Sequence, residues 1–155
     1  MVQDGDKAPV FELPTDGGDT LELSRLKGKP VVLYFYPKDD TSGCTVEAKD
    51  FSRLAADFRK AGVEVIGVSP DSVESHGKFR KKHGLSIKLA ADADKAVATA
   101  YGVWVEKSMY GRKYMGVERS TFLIDGKGRI ARSWRKVKVS GHAEEVLAAV
   151  QGLGK

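Results

Sequence analysis

The chain has 155 residues, of which 41% are hydrophobic and 30% are charged, a balance typical of one folded domain rather than of a disordered chain. No apolar run reaches membrane-spanning length, and the N-terminus lacks the basic and apolar segments of a secretory signal. The single cysteine excludes an internal disulfide and favours a reducing compartment. We therefore expect residues 1–155 to form a single domain in the cytoplasm.

The net charge of +5 raises the question of nucleic-acid binding. Basic residues cluster in two segments, 78–82 and 129–138, but acidic residues are interspersed through most of the chain. No zinc-finger spacing or RNA-recognition motif accompanies these clusters. A solvated helix face and an exposed edge strand account for them, so we expect no specific nucleic-acid partner.

The first elements in chain order predict a β-hairpin. Two short apolar segments, Val10–Leu13 and Thr20–Leu23, flank the turn-forming stretch Thr15–Asp19. Ser24–Lys27 then has room for one helical turn before the chain enters its first long strand.

That first long strand, Val31–Tyr36, is a continuous β-branched and aromatic run, typical of a strand buried on both faces. Pro37 ends it, and a helical pattern begins near Cys44. Val63–Val68 reads as a second buried strand, which completes a β-α-β unit. Its right-handed crossover places the cysteine at the carboxyl end of the first strand, where open α/β sheets bind ligands.

Further helices and strands follow. Asp71 and Glu74 resemble a capping box for a helix that ends at Gly84. Ile87–Ala91 is a weak strand or an extended link, and Asp92 or Asp94 caps the next helix, which Gly102 closes.

The last third of the chain predicts the edge of the sheet. Val103–Arg119 is either a functional loop or a hairpin around Gly111. Ser120–Ile124 and Ile130–Trp134 predict an antiparallel pair, and Ser140–Val150 predicts a closing amphipathic helix. The whole order indicates an α/β, thioredoxin-like fold: a central mixed sheet flanked by helices, with an added N-terminal hairpin.

Cys44 stands at the junction of a strand and a helix. The partial positive charge of unpaired N–H groups at a helix start favours thiolate over thiol. Small polar residues, Thr41, Ser42, Gly43 and Thr45, surround it in sequence, which indicates an exposed, reactive thiol. The alternative is a small buried core residue, the commonest fate of an unpaired cysteine.

The segment 36–48, with Pro37, Thr41 and Cys44 in the pattern PxxxTxxC, resembles the active-site loop of the peroxiredoxins. The closer resemblance is to the bacterioferritin comigratory protein subfamily, also called peroxiredoxin Q. The supporting similarity lies in three further segments: Gly5–Pro9, Tyr101–Trp104 and Arg119–Asp125.

This resemblance implies an enzyme, a peroxidase that reduces hydrogen peroxide or organic hydroperoxides through a sulfenic acid on Cys44. It implies that Arg119 favours the thiolate and orients the peroxide, that Thr41 bonds a peroxide oxygen, and that N–H groups of Gly43 and Cys44 stabilise charge. Pro37 would shield the sulfur from water. Taken singly, Thr41 could instead be a helix cap, Pro37 a strand terminator and Arg119 a surface ion-pair partner.

Two positions depart from the subfamily pattern. Ser42 stands where the subfamily usually has proline, and Lys49 stands where many members carry a resolving cysteine. We therefore expect a one-cysteine enzyme whose sulfenic acid reacts with an external thiol, such as thioredoxin, glutaredoxin or a low-molecular-weight thiol, or with Cys44 of a second subunit. The resemblance implies a monomer or weak homodimer and no membrane partner.

Other candidate chemistry is sparse. The three histidines, His76, His83 and His142, share no metal-ligand spacing and no carboxylate companion, so we expect solvated or capping residues and no metal or organic cofactor. Trp104, Tyr110 and Met115 either line an access channel or, as we prefer, pack. A redox-sensing or holdase-like protein that uses Cys44 only as a switch is the alternative function.

Overall fold

The computed structural model describes residues 2–153. The strands are β1 (Glu12–Pro14), β2 (Thr20–Glu22), β3 (Val31–Phe35), β4 (Glu64–Ser69), β5 (Lys88–Ala91), β6 (Trp104–Met109), β7 (Arg112–Val117), β8 (Ser120–Ile124) and β9 (Ile130–Trp134). The helices are α1 (Ser42–Arg53), α2 (Ala55–Lys60), α3 (Val73–His83), α4 (Ala96–Ala100) and α5 (His142–Leu153), with a 3-10 turn at Leu23–Leu26. No helix in this range is long and apolar enough to cross a membrane.

The central sheet has five strands in the order β5-β4-β3-β8-β9. β3 pairs in parallel with β4 and antiparallel with β8, so the sheet is mixed, as predicted. The N-terminal hairpin is confirmed as the separate pair β1-β2. The β-α-β unit and the hairpin β8-β9 are confirmed as well.

β3 forms the centre of two cores because its side chains alternate across the sheet. Val31, Leu33 and Phe35 face a core that also contains residues of β1, β2 and α4. Val32 and Tyr34 face the opposite core, which α1, α2, α3 and α5 cover. Both layers, the one with β1, β2 and α4 and the one with α1, α2, α3 and α5, therefore pack on β3.

Two local predictions need comment. The capping box at Asp71 was wrong: Ser72 is the cap of α3 and accepts a hydrogen bond from the N–H of Ser75. The carboxylate of Asp71 is engaged elsewhere, by the loop before α1. The stretch 103–119 is a hairpin, β6-β7, because Tyr110 and Gly111 both take the positive φ angles that a tight hairpin turn requires.

Two glycines give a matched test of this packing. A Cβ on Gly67, in β4, would lie 2.7 Å from the fully buried ring of Tyr34, which also stacks on Phe51. We expect Gly67→Ala to lower the free energy of unfolding by about 1–3 kcal/mol, because a packed ring has no room to move.

Gly77, inside α3, has open space around it: among residues 2–153, no heavy atom beyond its chain neighbours and the adjacent helix backbone lies within 4 Å of the point that a Cβ would occupy. We expect Gly77→Ala to raise the free energy of unfolding by up to about 1 kcal/mol, since alanine is the better helix former. Urea denaturation measures the free energy of unfolding of both variants. Equal effects of the two substitutions would contradict the close packing at Tyr34.

Candidate active site

The end of β3 and the start of α1 place Cys44. α1 begins at Ser42, so Cys44 lies in its first turn, and Cys44, Glu47, Ala48 and Phe51 form the helix face that packs on the sheet. Thr45 makes the first helical hydrogen bond, to the carbonyl of Thr41 at 2.8 Å. The N–H groups of Gly43 and Cys44, in the first turn before Thr45, therefore have no partner within the helix.

The thiol is buried, which corrects the expectation of an exposed cysteine. Cys44 is only 1% exposed and belongs to the core between the sheet and α1. The physical reason is the helix face: the apolar side chains that anchor α1 carry Cys44 against the sheet with them. The sulfur therefore belongs to the interior of the protein, beside Arg119, and not to its surface.

Arg119 comes to Cys44 through the antiparallel pairing of β8 with β3. Ser120 pairs with Phe35, so the residue just before β8 lies at the carboxyl end of β3, next to the start of α1. Nη2 of Arg119 lies 3.2 Å from Sγ of Cys44, and Nη1 donates to Oε1 of Glu47 at 2.7 Å. The Arg119 side chain is 16% exposed, so it is not a surface ion-pair partner.

Glu47 is a site residue that the sequence pattern did not reveal. Its carboxyl group is buried, with Oε1 bound to Arg119 and Oε2 without a partner among residues 2–153. Burial raises the pKa of Glu47 to about 7, although the Arg119 guanidinium acts in the opposite direction. The same ion pair, together with Cys44, raises the pKa of Arg119 despite its own desolvation, so Arg119 stays a cation.

A sequence signal for Glu47 did exist. It lies three residues after Cys44 on the same helix face, and it interrupts an otherwise apolar face that ends at Phe51. A carboxylate on such a face is rarely buried without a cationic partner, which here is Arg119.

Thr41, Gly43 and Pro37 lie in the same loop and helix turn. Thr41 is the N-cap residue of α1, as the capping alternative had it, but its hydroxyl donates to the carbonyl of Lys38 at 2.9 Å and makes no capping hydrogen bond. Gly43 lies against Arg119, because a Cβ there would be 3.2 Å from Nη2. Pro37 is half-buried and directly follows the buried Tyr36.

The histidine predictions were partly wrong. His76 is fully buried and His142 nearly so, whereas we expected solvated or capping residues. His142 lies 2.8 Å from the Thr121 hydroxyl, and burial lowers its pKa to about 4. His76 has the carboxylate companions that the sequence spacing did not indicate: Asp39 and Asp71 each place a ligand-type atom within 4.8 Å of it and of each other.

Those three side chains already satisfy one another and their neighbours. Asp39 accepts from Tyr36 and Ser75 and pairs with His76, while Asp71 accepts from Ser69 and from the backbone N–H of Asp39. The group thus works as a hydrogen-bond network that needs no ion to hold its charges.

The aromatic and methionine predictions around the second hairpin also differ from the structure. Trp104 packs against the core, as preferred, but Tyr110 is 99% exposed at the hairpin tip and Met115 is half exposed. A two-stranded hairpin outside the main sheet buries few of its side chains, and this explains the difference.

Comparisons with known proteins bear on this site. The sequence profile of the AhpC/TSA family matches residues 5–133. The chain is 53% identical over 146 residues to a putative peroxiredoxin bcp of Coxiella burnetii, covering 94% of this chain and 97% of that protein. It is 49% identical to peroxiredoxin Bcp of Bacillus subtilis, covering 99% and 98%. A structure of Xanthomonas campestris peroxiredoxin Q superposes with a TM-score of 0.90 at 47% identity, covering 94% and 92%.

Proposed function

This chain belongs to the AhpC/TSA family as a thiol-dependent peroxidase, and we propose that Cys44 is its reacting nucleophile. The observation that carries the proposal is the 3.2 Å contact between the Arg119 guanidinium and Sγ of Cys44, the only cysteine in the chain. A fixed cation beside sulfur favours the thiolate, which is the reactive form of cysteine.

The reaction balances with this one sulfur. The Cys44 thiolate attacks one oxygen of hydrogen peroxide or an organic hydroperoxide, and the O–O bond breaks. Sulfur is oxidised to sulfenic acid, while the other oxygen takes a proton and leaves as water or an alcohol.

The surrounding groups have separate roles in this proposal. Arg119 holds the thiolate and donates to the peroxide, and the N–H groups of Gly43 and Cys44 stabilise negative charge on the departing oxygen. The Thr41 hydroxyl can turn from the Lys38 carbonyl to a peroxide oxygen, and Pro37 limits the access of water. Glu47 orients Arg119 through the 2.7 Å hydrogen bond and thereby acts on Cys44 indirectly.

The reducing half of the cycle needs a second thiol from outside the chain. Position 49, where many members of the resembled subfamily carry a resolving cysteine, is an exposed lysine. A low-molecular-weight thiol, thioredoxin or glutaredoxin would attack the sulfenic acid, release water and leave a mixed disulfide that a further thiol reduces. This chemistry suits a reducing compartment such as the cytoplasm and is compatible with a monomer or weak homodimer.

Stopped-flow mixing of the reduced protein with hydrogen peroxide tests the proposal, with mass analysis of the product. We expect thiol loss far faster than for free cysteine and a gain of one oxygen on Cys44, and no reaction in Cys44→Ser. A rate equal to that of free cysteine would contradict the peroxidase role of this site and favour the redox-switch alternative.

A further inference from the structure

The loop before Cys44 is attached to α3 by two consecutive aspartates. Within residues 2–153, every side-chain hydrogen bond that joins residues 37–43 to another element passes through Asp39 or Asp40. Asp39 bonds the first turn of α3, at Ser75 and His76, and Asp40 bonds its last turn, at Lys82 and His83. α3 therefore holds the segment that carries Thr41 into the first turn of α1.

The two attachments differ in burial. The Asp39 carboxylate is nearly inaccessible and accepts from Tyr36 at 2.6 Å and Ser75 at 2.8 Å, and it lies 2.7 Å from Nδ1 of the fully buried His76. The Asp40 contacts, by contrast, are exposed to solvent. Ion pairs in water contribute little, whereas buried charge-assisted hydrogen bonds are strong, so Asp39 carries most of the attachment.

His76 has a hydrogen-bond partner at both ring nitrogens. Nε2 lies 3.0 Å from the carbonyl of Ala90, which can only accept. Nδ1 lies 2.7 Å from Oδ2 of Asp39. Both nitrogens are therefore satisfied inside the protein, which holds the ring in place beside the loop.

The burial of Cys44 gives this attachment a functional consequence, on the assumption that the proposed peroxidase function is correct. Peroxide chemistry needs the first turn of α1 in place, with Sγ against Arg119. Attack by an external thiol on the sulfenic acid needs the same turn to open, because Cys44 is 1% exposed. The peroxide step therefore needs the loop closed, and the thiol step needs it open.

We propose that Asp39 and His76 are positioning residues that hold the loop of residues 37–43 on α3 and so set how often Cys44 opens to the reducing thiol. Weakening the pair slows the step in which the thiolate takes an oxygen from the peroxide. It speeds the step in which a thiol displaces the sulfenic oxygen as water and forms a mixed disulfide. A residue with a merely structural role would not change these two rates in opposite directions.

The experiment uses the full chain with Asp39→Ala, Asp39→Asn and the neighbouring exposed control Asp40→Asn. Three rates are measured by rapid quench and mass analysis: alkylation of reduced Cys44 by iodoacetamide, oxidation by hydrogen peroxide, and reaction of the sulfenic form with 2-mercaptoethanol. For Asp39→Ala we expect about a tenfold rise in alkylation and in the thiol step, and about a tenfold fall in peroxide oxidation. Asp40→Asn should stay within about twofold of wild type.

Asp39→Asn keeps the size of the side chain and can still bond Tyr36 and Ser75, so its changes should have the same signs and be about threefold. If Asp39→Ala does not fold, the directions of the three rate changes in Asp39→Asn decide between the outcomes. Unchanged alkylation, or a fall in all three rates together, would overturn the proposal. The wild-type peroxide reaction and its loss in Cys44→Ser test the proposed function separately, since alkylation involves no peroxide.

Discussion

Arg119→Gln should lower the second-order rate constant for hydrogen peroxide by about 10²–10³, the usual cost of removing one charge-stabilising donor from an active site. The substitution removes the cation 3.2 Å from Sγ of Cys44 and with it a donor for the peroxide oxygens. Arg119→Lys should recover only part of the rate, because an ammonium lacks the planar fork whose two nitrogens separately contact Sγ and Glu47.

The fold should survive this change. Without Arg119, the buried Glu47 can take up a proton, since burial already raises its pKa to about 7. Stopped-flow oxidation measures the rate, and circular dichroism verifies the fold. Arg53→Gln is the matched control, because Arg53 is an exposed arginine of α1 that pairs with Asp50 and Glu144. An Arg119→Gln rate within a few-fold of wild type would remove Arg119 from the proposed mechanism and favour the switch alternative.

The second large effect concerns Glu47 and the dependence of stability on pH. The folded state raises the pKa of Glu47 from 4.5 to about 7, so the folded protein binds this proton more tightly than the unfolded chain. The associated stability is fully present below pH 4.5 and is lost as the pH rises through 7. Glu47→Gln cannot titrate, so the stability of wild type relative to this variant should fall by about 3 kcal/mol from pH 4.5 to 8.

The comparison with the variant is needed because His142 changes the free energy of unfolding in the opposite direction over an overlapping pH range. Its pKa falls from 6.5 to about 4 on folding, so its contribution is lost as the pH drops. His142 is present in both proteins, and its effect cancels in the difference. Urea denaturation at several pH values gives that difference, with Glu144→Gln as the control for an exposed carboxylate. A difference that does not change with pH would contradict the raised pKa.

The local pattern of the chain was sufficient for most of the fold. The apolar run that begins at Val31 predicted the central strand, and the segments at 120–124 and 130–134 predicted the antiparallel edge with the same bounds that the structure has. These elements are predictable because strand formation here follows from a continuous buried run or from a turn signal, both of which are local.

The candidate site was less predictable. Cys44 was named from its place at the junction of a strand and a helix, and Thr41, Pro37 and Arg119 from a motif resemblance. Their catalytic roles stay predictions. Glu47 was overlooked because its role depends on a partner 72 positions away, at the start of β8. The attachment of Asp39 to His76 likewise joins residues 37 positions apart.

The sequence by itself determined the order of most strands and helices, the junction of strand and helix at Cys44, and the absence of a second thiol. Only the tertiary structure decided that Cys44 is buried, that Glu47 shares Arg119 with it, and that Asp39 meets a buried histidine. The physical reason is that side-chain periodicity reports which face of an element is apolar. Burial, pKa and ion pairing depend instead on which elements meet, and the pairing of β3 with β8 and the packing of α3 establish that.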